Sequence, residues 1–536
     1  MKKLKLVCVA IAMAGAAPTF AGGLLTNTNQ HVAFNRMMSR EASIGIDGVY
    51  YNPAGVVFMG EGHHLAINWQ LAYQTRTINN DYKLFTNNVN NPITPRDFKG
   101  KAFAPVIPSF QYAYNKGKWS FQANFALTGG GGKCTFDDGL GSFEKIVSET
   151  AIAACGLAGV VDQTLGNTLG QQGMEMFTSD QAFGKTGKYS FNSYMHGRQY
   201  YYGLSVGAAY KFCDNFSAFL GVRGVYALTN YYGYVENINV GNMPLYKVLD
   251  PTKENAANIE LSCDQTGVGF TPIIGVDYKT GRWNFSAKYE FKTRIRLKNK
   301  SVNQTPSIGN LPANLANQMT GILTDKFHNA GLPLEQAKQQ AENTTNAVLN
   351  DPTVGATMMG LKTQFDQKLN KAIGEYEDGK KIAGDIPGYL ALGIGYSPVD
   401  AVRVNVGFHW FDDKNATSYN NRNKELKRGT LEYNAGVEVD VNKKITLSTG
   451  WQNTNYGLSD EYMDDKSFVV GSNSAAIGGV YHINKKMDLN VAYFHTFYQH
   501  KKTSETVQLA ADKSIVYNSD YTRNNNVFAV GLDINF

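Results

Sequence analysis

Ser205 lies in Gly203-Leu204-Ser205-Val206-Gly207, which fits the GxSxG pattern of a nucleophile elbow. That chemistry needs a sharp strand-to-helix turn to present the hydroxyl. Here the pattern falls within Tyr200 to Phe212, where apolar and polar residues alternate without a break, so Ser205 reads as part of a strand and no catalytic residue is expected. Gly184-Lys185-Thr186 lacks the upstream glycine of a phosphate loop. Nine histidines are scattered, His63-His64 being the adjacent pair, and neither CxxC nor a His/Cys cluster has metal spacing. No metal and no cofactor is expected. Four cations are the remaining chemical groups of interest: Arg223, Lys288, Arg294 and Arg403 each fall on the polar face of an alternating segment. Arginine forms paired hydrogen bonds to a carboxylate and lysine offers a point charge. The partner is either an acid on the same face, such as Glu290, or the carboxylate of a solute.

The elements that carry these residues repeat one rule. Leu431, Tyr433, Ala435, Val437, Val439 and Val441 share one face, against Glu432, Asn434, Gly436, Glu438 and Asp440 on the other. Trp283 to Lys292 and Val402 to Trp410 do the same. Period-two alternation in segments of about ten residues is what a lipid-facing barrel wall requires. About 14 such segments can be walked along the chain: 63–77, 101–115, 117–129, 198–212, 215–232, 265–279, 281–298, 386–398, 400–413, 429–441, 443–457, 471–484, 486–502 and 519–536. Short turns (115–117, 213–215, 280–281, 398–400, 442–443, 484–485) alternate with long loops, the outer-membrane pattern, and an even count leaves both termini periplasmic. The expected fold class is therefore all-β, a transmembrane antiparallel barrel.

Composition agrees. The 536 residues are rich in Gly (54), Tyr (31) and Phe (29), with a mean hydropathy of −0.31. Beyond the first 25 residues no apolar run reaches the 18 that a spanning helix needs, so a membrane protein of this composition closes its backbone bonds as a barrel. Met1 to Ala21 has the three lysines, apolar core and small-x-small end of a secretory signal. Its removal leaves 48 basic against 45 acidic residues, a balance too mild for a nucleic-acid partner. Export permits disulfides. The topology sets Cys213 at the inner end and Cys134, Cys155 and Cys263 at the outer end, so Cys134–Cys155 is the candidate pair.

Three regions are not wall. Residues 22–62 are apolar enough to need burial and are expected to form an N-terminal hatch, a plug inside the lumen, with the barrel over 63–536. The outer loops 130–197 and 299–385 are expected to be partly helical, with Leu311, Leu315, Met319, Ile322 and Leu323 at helical spacing and Met358, Leu361, Phe365, Leu369 and Ile373 likewise. Loops of this length are usually functional.

The stretch from Ser43 to Val56, SIGIDGVYYNPAGV, resembles the hatch of the FadL family of outer-membrane transporters for long-chain fatty acids and aromatic hydrocarbons, whose most recognisable motif is Asn52-Pro53-Ala54. It sits just before the first strand, and the terminal Phe536 resembles the signal read by the barrel-assembly machinery. The resemblance implies a monomeric 14-stranded barrel in the cell outer membrane and capture of hydrophobic small molecules, fatty acids or aromatic hydrocarbons, among the outer loops. It further implies an internal pocket, hatch movement gated by Asn52, Pro53 and Ala54, and release into outer-membrane lipid beside strand 3. Gly129, Gly130, Gly131 and Gly132 end that strand and can shape a gap. In this setting Arg223, Lys288, Arg294 and Arg403 become candidates for the ligand carboxylate. The family's fatty-acid members carry an arginine after a Tyr-Ala pair on strand 5, where this chain has Leu228. The alternative from another class is a surface-exposed binding or adhesion barrel using its helical loops.

Overall fold

The computed structural model describes residues 24–26, 29–170, 187–241, 243–306, 310–510 and 513–536, without side chains at 131, 364–373, 510 and 513. The signal segment Met1 to Ala21 lies outside them, as do the side chains of Phe365, Leu369 and Ile373. One antiparallel sheet closes on itself. Of its eighteen strand segments, one is a two-residue bridge and three wall strands are each broken once, which leaves the expected fourteen-stranded barrel.

The wall strands are β1 (Gly62–Tyr82), β2 (Arg96–Lys116), β3 (Trp119–Phe136), β4 (Tyr189–Lys211), β5 (Phe216–Val240), β6 (Ile259–Thr280), β7 (Trp283–Glu290 and Arg296–Gln304), β8 (Lys381–Ala383 and Tyr389–Val399), β9 (Val402–Phe411), β10 (Arg428–Asn442), β11 (Ile445–Gly457), β12 (Ser472–Asn484), β13 (Met487–Tyr498 and Lys501–Ala510) and β14 (Lys513–Asn535). β14 closes on β1 from His64 opposite Asn535 to Tyr82 opposite Tyr517, and Phe536 exchanges both backbone bonds with His63. The terminal residue is thus part of the seam.

Alternation sorts the side chains. Ile67, Phe121, Leu204, Leu220, Phe270 and Ile477 stand exposed on the outside, with Trp119, Trp283 and Tyr396 near the short turns, while Asn68, Gln111, Asn124, Glu290, Glu432 and Asn490 are buried within. An apolar exterior over a polar interior is the inverse of a soluble barrel and suits lipid as solvent.

The wall runs further than the sequence pattern suggested. β3 continues through the glycine run to Phe136, so the first long connection begins after residue 136 and Gly129 to Gly132 lie inside a strand. The connection carries α3 (Gly141–Leu169), the helical part expected of this loop. This helix is long and apolar enough to cross a bilayer, but two-thirds of that window is buried. Ser142 donates its amide and hydroxyl to Asp465 (2.8 and 3.0 Å), which supplies the anchor at the helix start, and Glu144 pairs with Arg96. Three more helices, Leu311–Asn329, Leu334–Leu349 and Pro352–Ile373, follow β7. Leu315, Met319, Leu323, Ala341, Val348 and Val354 join Leu157, Val161 and Leu165 of α3 in one apolar cluster with Tyr82, Phe98 and Tyr517 of the wall. The long loops form a helical cap with its own core.

Two expectations are corrected here. Cys134 and Cys155 are not joined by a disulfide. Cys134 points from β3 into a cluster with Ile78, Ala102, Phe136 and Met195, whereas Cys155 sits midway along α3, a helix held to other partners. Arg294 does not face the lumen. Between the halves of β7 the register against β6 slips by one residue: Ile273 opposes Glu290, but Thr266 opposes Lys298. An extra residue in a strand exchanges its two faces. Thr293, Ile295 and Leu297 turn inward and Arg294 turns out.

At the loop end, burial pushes the carboxyl of Asp413 from 3.8 up to about 7, although it accepts the Thr430 amide (3.0 Å). The folded protein therefore holds a proton there that the unfolded chain releases near pH 4. Stability from this group is complete at low pH and declines as pH rises through about 4 to about 7. Asp413→Asn is expected to flatten that decline, measured as urea midpoint against pH in detergent; an unchanged slope would refute the assignment.

Candidate functional site: a plugged lumen with an arginine-lined cavity

Residues 24–26 and 29–61 fill the lumen. α1 (Val32–Met37) starts on His31, whose Nδ1 accepts the Ala33 amide (2.9 Å), and ends on Met38 in the left-handed region. The helix docks backbone-to-wall: a Cβ at Gly436 or Gly450 would overlap the Met37 carbonyl, so only glycine fits there. Arg36 reaches Asn490 (3.2 Å), Ser448 (3.0 Å) and Glu438 on β13, β11 and β10. Arg40 holds Asp47 within the plug by two bonds of 2.7 and 3.0 Å. Glu41 meets His409 of β9 (2.7 Å), which also meets Glu432 (2.9 Å).

The Asn52-Pro53-Ala54 triplet is fixed from three strands. The Asn52 amide donates to Asp277 (2.6 Å) while its oxygen accepts the Gly55 amide (3.2 Å). Gln122 donates to the Pro53 carbonyl and Ser217 to the Ala54 carbonyl, both at 2.7 Å. Proline lacks an amide donor and fixes one backbone angle, so this turn presents carbonyls that the wall reads.

Three of the four sequence-selected cations are engaged by acids. Arg223 grips Glu290 with both nitrogens (2.6 and 2.9 Å) and Ser205 through Nε (3.0 Å). Lys288 donates to the same Glu290 (2.9 Å) and to the Tyr50 carbonyl (2.7 Å), with its ammonium 4.1 Å from the Tyr50 ring centre. Ser205 of the GxSxG pattern is thus mid-strand, beside an arginine. Arg403 binds Asp440 (2.6 and 2.7 Å) and Glu438 (3.2 Å) near the turn end. These are hatch and wall anchors rather than vacant carboxylate sites.

A cavity of about 190 Å³ lies between the start of the plug, the wall and residues 467–469 of the β11–β12 loop. Leu24, Thr26 and Asn29 from the start of the hatch line it, with Arg76, Phe468, Tyr498 and Arg523. No acid is among its lining residues. Arg76 of β1 stands directly opposite Arg523 of β14 across the closing seam. Neither has a carboxylate partner among the described residues. They share one neutral acceptor, Gln74 Oε1, at 3.1 and 2.8 Å, and the Arg523 Nε is buried without an acceptor. The Arg523 guanidinium lies 5.4 and 5.9 Å from the Tyr498 and Phe468 ring centres. Like charges directly opposite on a sheet repel, and a partly buried guanidinium fork without an oxygen to grip is costly. The two forks share a cavity of mixed lining, whose apolar part includes Phe468, Phe494 and Val527. Sequence reading missed both, because their juxtaposition depends on the register in which the first strand meets the last.

The cavity touches a break in the wall. β2 and β3 pair from Gly100 opposite Phe136 to Ala102 opposite Cys134, then not again until Ser109 opposite Ala126. On one side of the break stand Pro105 and Pro108, which lack amide donors; on the other is the glycine run, with Gly130 and Gly132 at φ 94° and 77°. Ile107 and Gly130 line the cavity from the two sides. Leu24 packs against Gly129, where a Cβ would strike it. The start of the hatch therefore sits at the break.

No family model matches the chain, and no curated protein matches it. Solved structures do. A FadL homologue of Pseudomonas aeruginosa superposes with a TM-score of 0.57 over 96% of this chain and 100% of that one, at 13% identity. The ΔS2 mutant of TodX, a monoaromatic hydrocarbon channel, gives 0.51 over 95% and 100%, at 12% identity. At such identity the likeness concerns the path of the backbone, and on that ground the chain has the fold of the FadL-type channels.

Proposed function

We propose that this protein is an outer-membrane channel that takes hydrophobic carboxylates, of the long-chain fatty-acid class, inward from the loop end, which faces outward. The observation that carries the reading is the carboxylate-free arginine pair in a cavity that abuts the broken β2–β3 ladder. An amphipathic acid enters beneath the helical cap and sets its head group between Arg76 and Arg523. Its tail lies along Phe468, Phe494 and Val527. Displacement of Leu24 and the hatch start opens the way to Ile107 and Gly130, and the solute leaves sideways into lipid. That route suits the cargo, since an apolar body gains nothing from crossing a water-filled pore. Movement of the Asn52-Pro53-Ala54 turn then resets the plug. No step in this reading makes or breaks a covalent bond, so the protein acts as a channel rather than an enzyme.

The test is uptake of labelled oleate, with toluene as the neutral comparison, by a Gram-negative host lacking its own fatty-acid porin. The parent chain is expected to restore oleate uptake. Ile107→Trp, which places an indole in the opening, is expected to lower it several-fold with the barrel still folded. Toluene uptake without oleate uptake would sink the carboxylate reading, and normal uptake through Ile107→Trp would sink the lateral route.

A further inference from the structure

The register slip that turns Arg294 outward does the same for everything above it on β7. Arg294, Arg296, Lys298 and Lys300 occur at alternate positions and are all exposed on the outer face, while Ile295 and Leu297 between them are buried within. On β8 the exposed Lys381 stands directly opposite Lys298. Without the extra residue these side chains would fill the lumen with positive charge.

The compensation is incomplete. Asp385 takes Arg296 (2.9 Å), and Asp264 lies across from Lys300 on β6 but accepts a bond from Asn230 (2.8 Å). Arg294, Lys298, Lys300 and Lys381 have no ion pair among the described residues. Repulsion between directly opposed Lys298 and Lys381 works against the sheet. An anion that settles on the row would relieve it.

The height of the row identifies that anion. Below it on the same strand the outward residues are Trp283, Phe285, Ala287, Tyr289 and Phe291, flanked by the exposed Ile274, Val276 and Tyr278 on β6 and Leu392 and Ile394 on β8. This is the lipid-facing belt, and the cations begin three residues above its last aromatic. From Arg294 to Lys300 the strand runs roughly 20 Å at about 3.3 Å per residue, which at the roughly 35–45° tilt of barrel strands is a rise of about 15 Å. A phospholipid headgroup layer is only about 5–8 Å deep on each side. The row is thus deep enough for a lipid whose phosphorylated head is itself a saccharide.

We propose that the outer face of β7 and β8 is a binding site for the phosphate groups of a glycolipid in the outer leaflet. It rests on the orientation given under Proposed function, with the helical cap facing outward. The acyl chains lie against the aromatic belt, and the phosphates bridge Arg294, Lys298, Lys300 and Lys381. Such a lipid would leave the proposed lateral opening free, because β7 and β8 lie at least four strands round the ring from β2 and β3.

The experiment uses the purified full-length barrel in neutral detergent and lipid A carrying two phosphates, with binding read by native mass spectrometry. Arg294→Gln/Lys298→Gln/Lys300→Gln/Lys381→Gln is compared with Lys443→Gln/Lys444→Gln/Lys485→Gln/Lys486→Gln, which removes the same charge from exposed short turns at the opposite end. The first variant is expected to lose at least tenfold in lipid A retention and the second to keep it, with heat-modifiable mobility showing both folded. Equal retention by the first variant, equal loss in both, or complete displacement by millimolar inorganic phosphate would overturn the proposal. Loss of lipid binding with oleate uptake intact would separate this site from transport; failed oleate uptake with lipid binding intact would leave this site standing.

Discussion

Arg76→Ala/Arg523→Ala is expected to weaken oleate binding roughly 100-fold while leaving the empty barrel at least as stable as the parent. Each charge-assisted bond to a carboxylate contributes about 1.5–3 kcal/mol, and two shared by one head group are not additive, so about 3 kcal/mol is a fair expectation for the pair. At 1.4 kcal/mol per decade that is the stated factor. The stability half follows from the same geometry. Arg76 and Arg523 oppose each other across the β1–β14 seam with one neutral amide between them, so removing both relieves repulsion in the unloaded state. Residues kept for ligand at a cost to the scaffold show this opposition of sign. Fluorescent fatty-acid titration and urea unfolding of the same preparations measure the two halves. Unchanged affinity would show that the head group is held elsewhere. A large fall in stability would show that the pair is structural.

Glu290→Ala should have the opposite character, unseating the hatch by about 3–5 kcal/mol with no direct part in ligand binding. Glu290 is buried and is the common acceptor of Arg223 and Lys288. Truncating it leaves two cations buried without their acid, the costly way to break an ion pair. Both cations also frame the Tyr50 ring, so the disturbance passes straight into the plug. The expected signs are a lower urea midpoint and raised, noisy conductance in planar bilayers. Glu290→Gln, which keeps the shape and one acceptor, should be milder. A variant with normal stability and conductance but abolished oleate binding would return Arg223 and Lys288 to the role of ligand residues.

Much of this architecture could be read from the chain because period-two alternation survives in nearly every strand, and because short turns such as Asn442-Lys443 mark one end. The Asn52-Pro53-Ala54 stretch pointed to the fold later found. What escaped had a common cause. An inserted residue between Glu290 and Arg296 exchanges inside for outside, and nothing in the local composition of Phe291 to Ile295 announces it. Arg76 fell at the very end of the segment assigned to 63–77, and its partner lies 447 residues away. The glycine run beside strand 3 was noticed, but Pro105 and Pro108, which withhold donors from the facing strand, were passed over within an otherwise convincing segment. The cysteine pair failed because proximity at one end of a barrel does not bring a strand thiol to a helix thiol.

The contact of Met37 with Gly436 and Gly450 also constrains the order of assembly. The plug's carbonyl rests against glycines of two neighbouring strands, and its other anchors lie on strands from β1 to β14. A finished ring offers no path by which so many short bonds could be made from outside. The N-terminal segment, synthesised first, has to wait as a core while later hairpins are laid around it. The last act is the zipping of β14 onto β1, with Phe536 meeting His63 directly beside the point where the plug joins the wall.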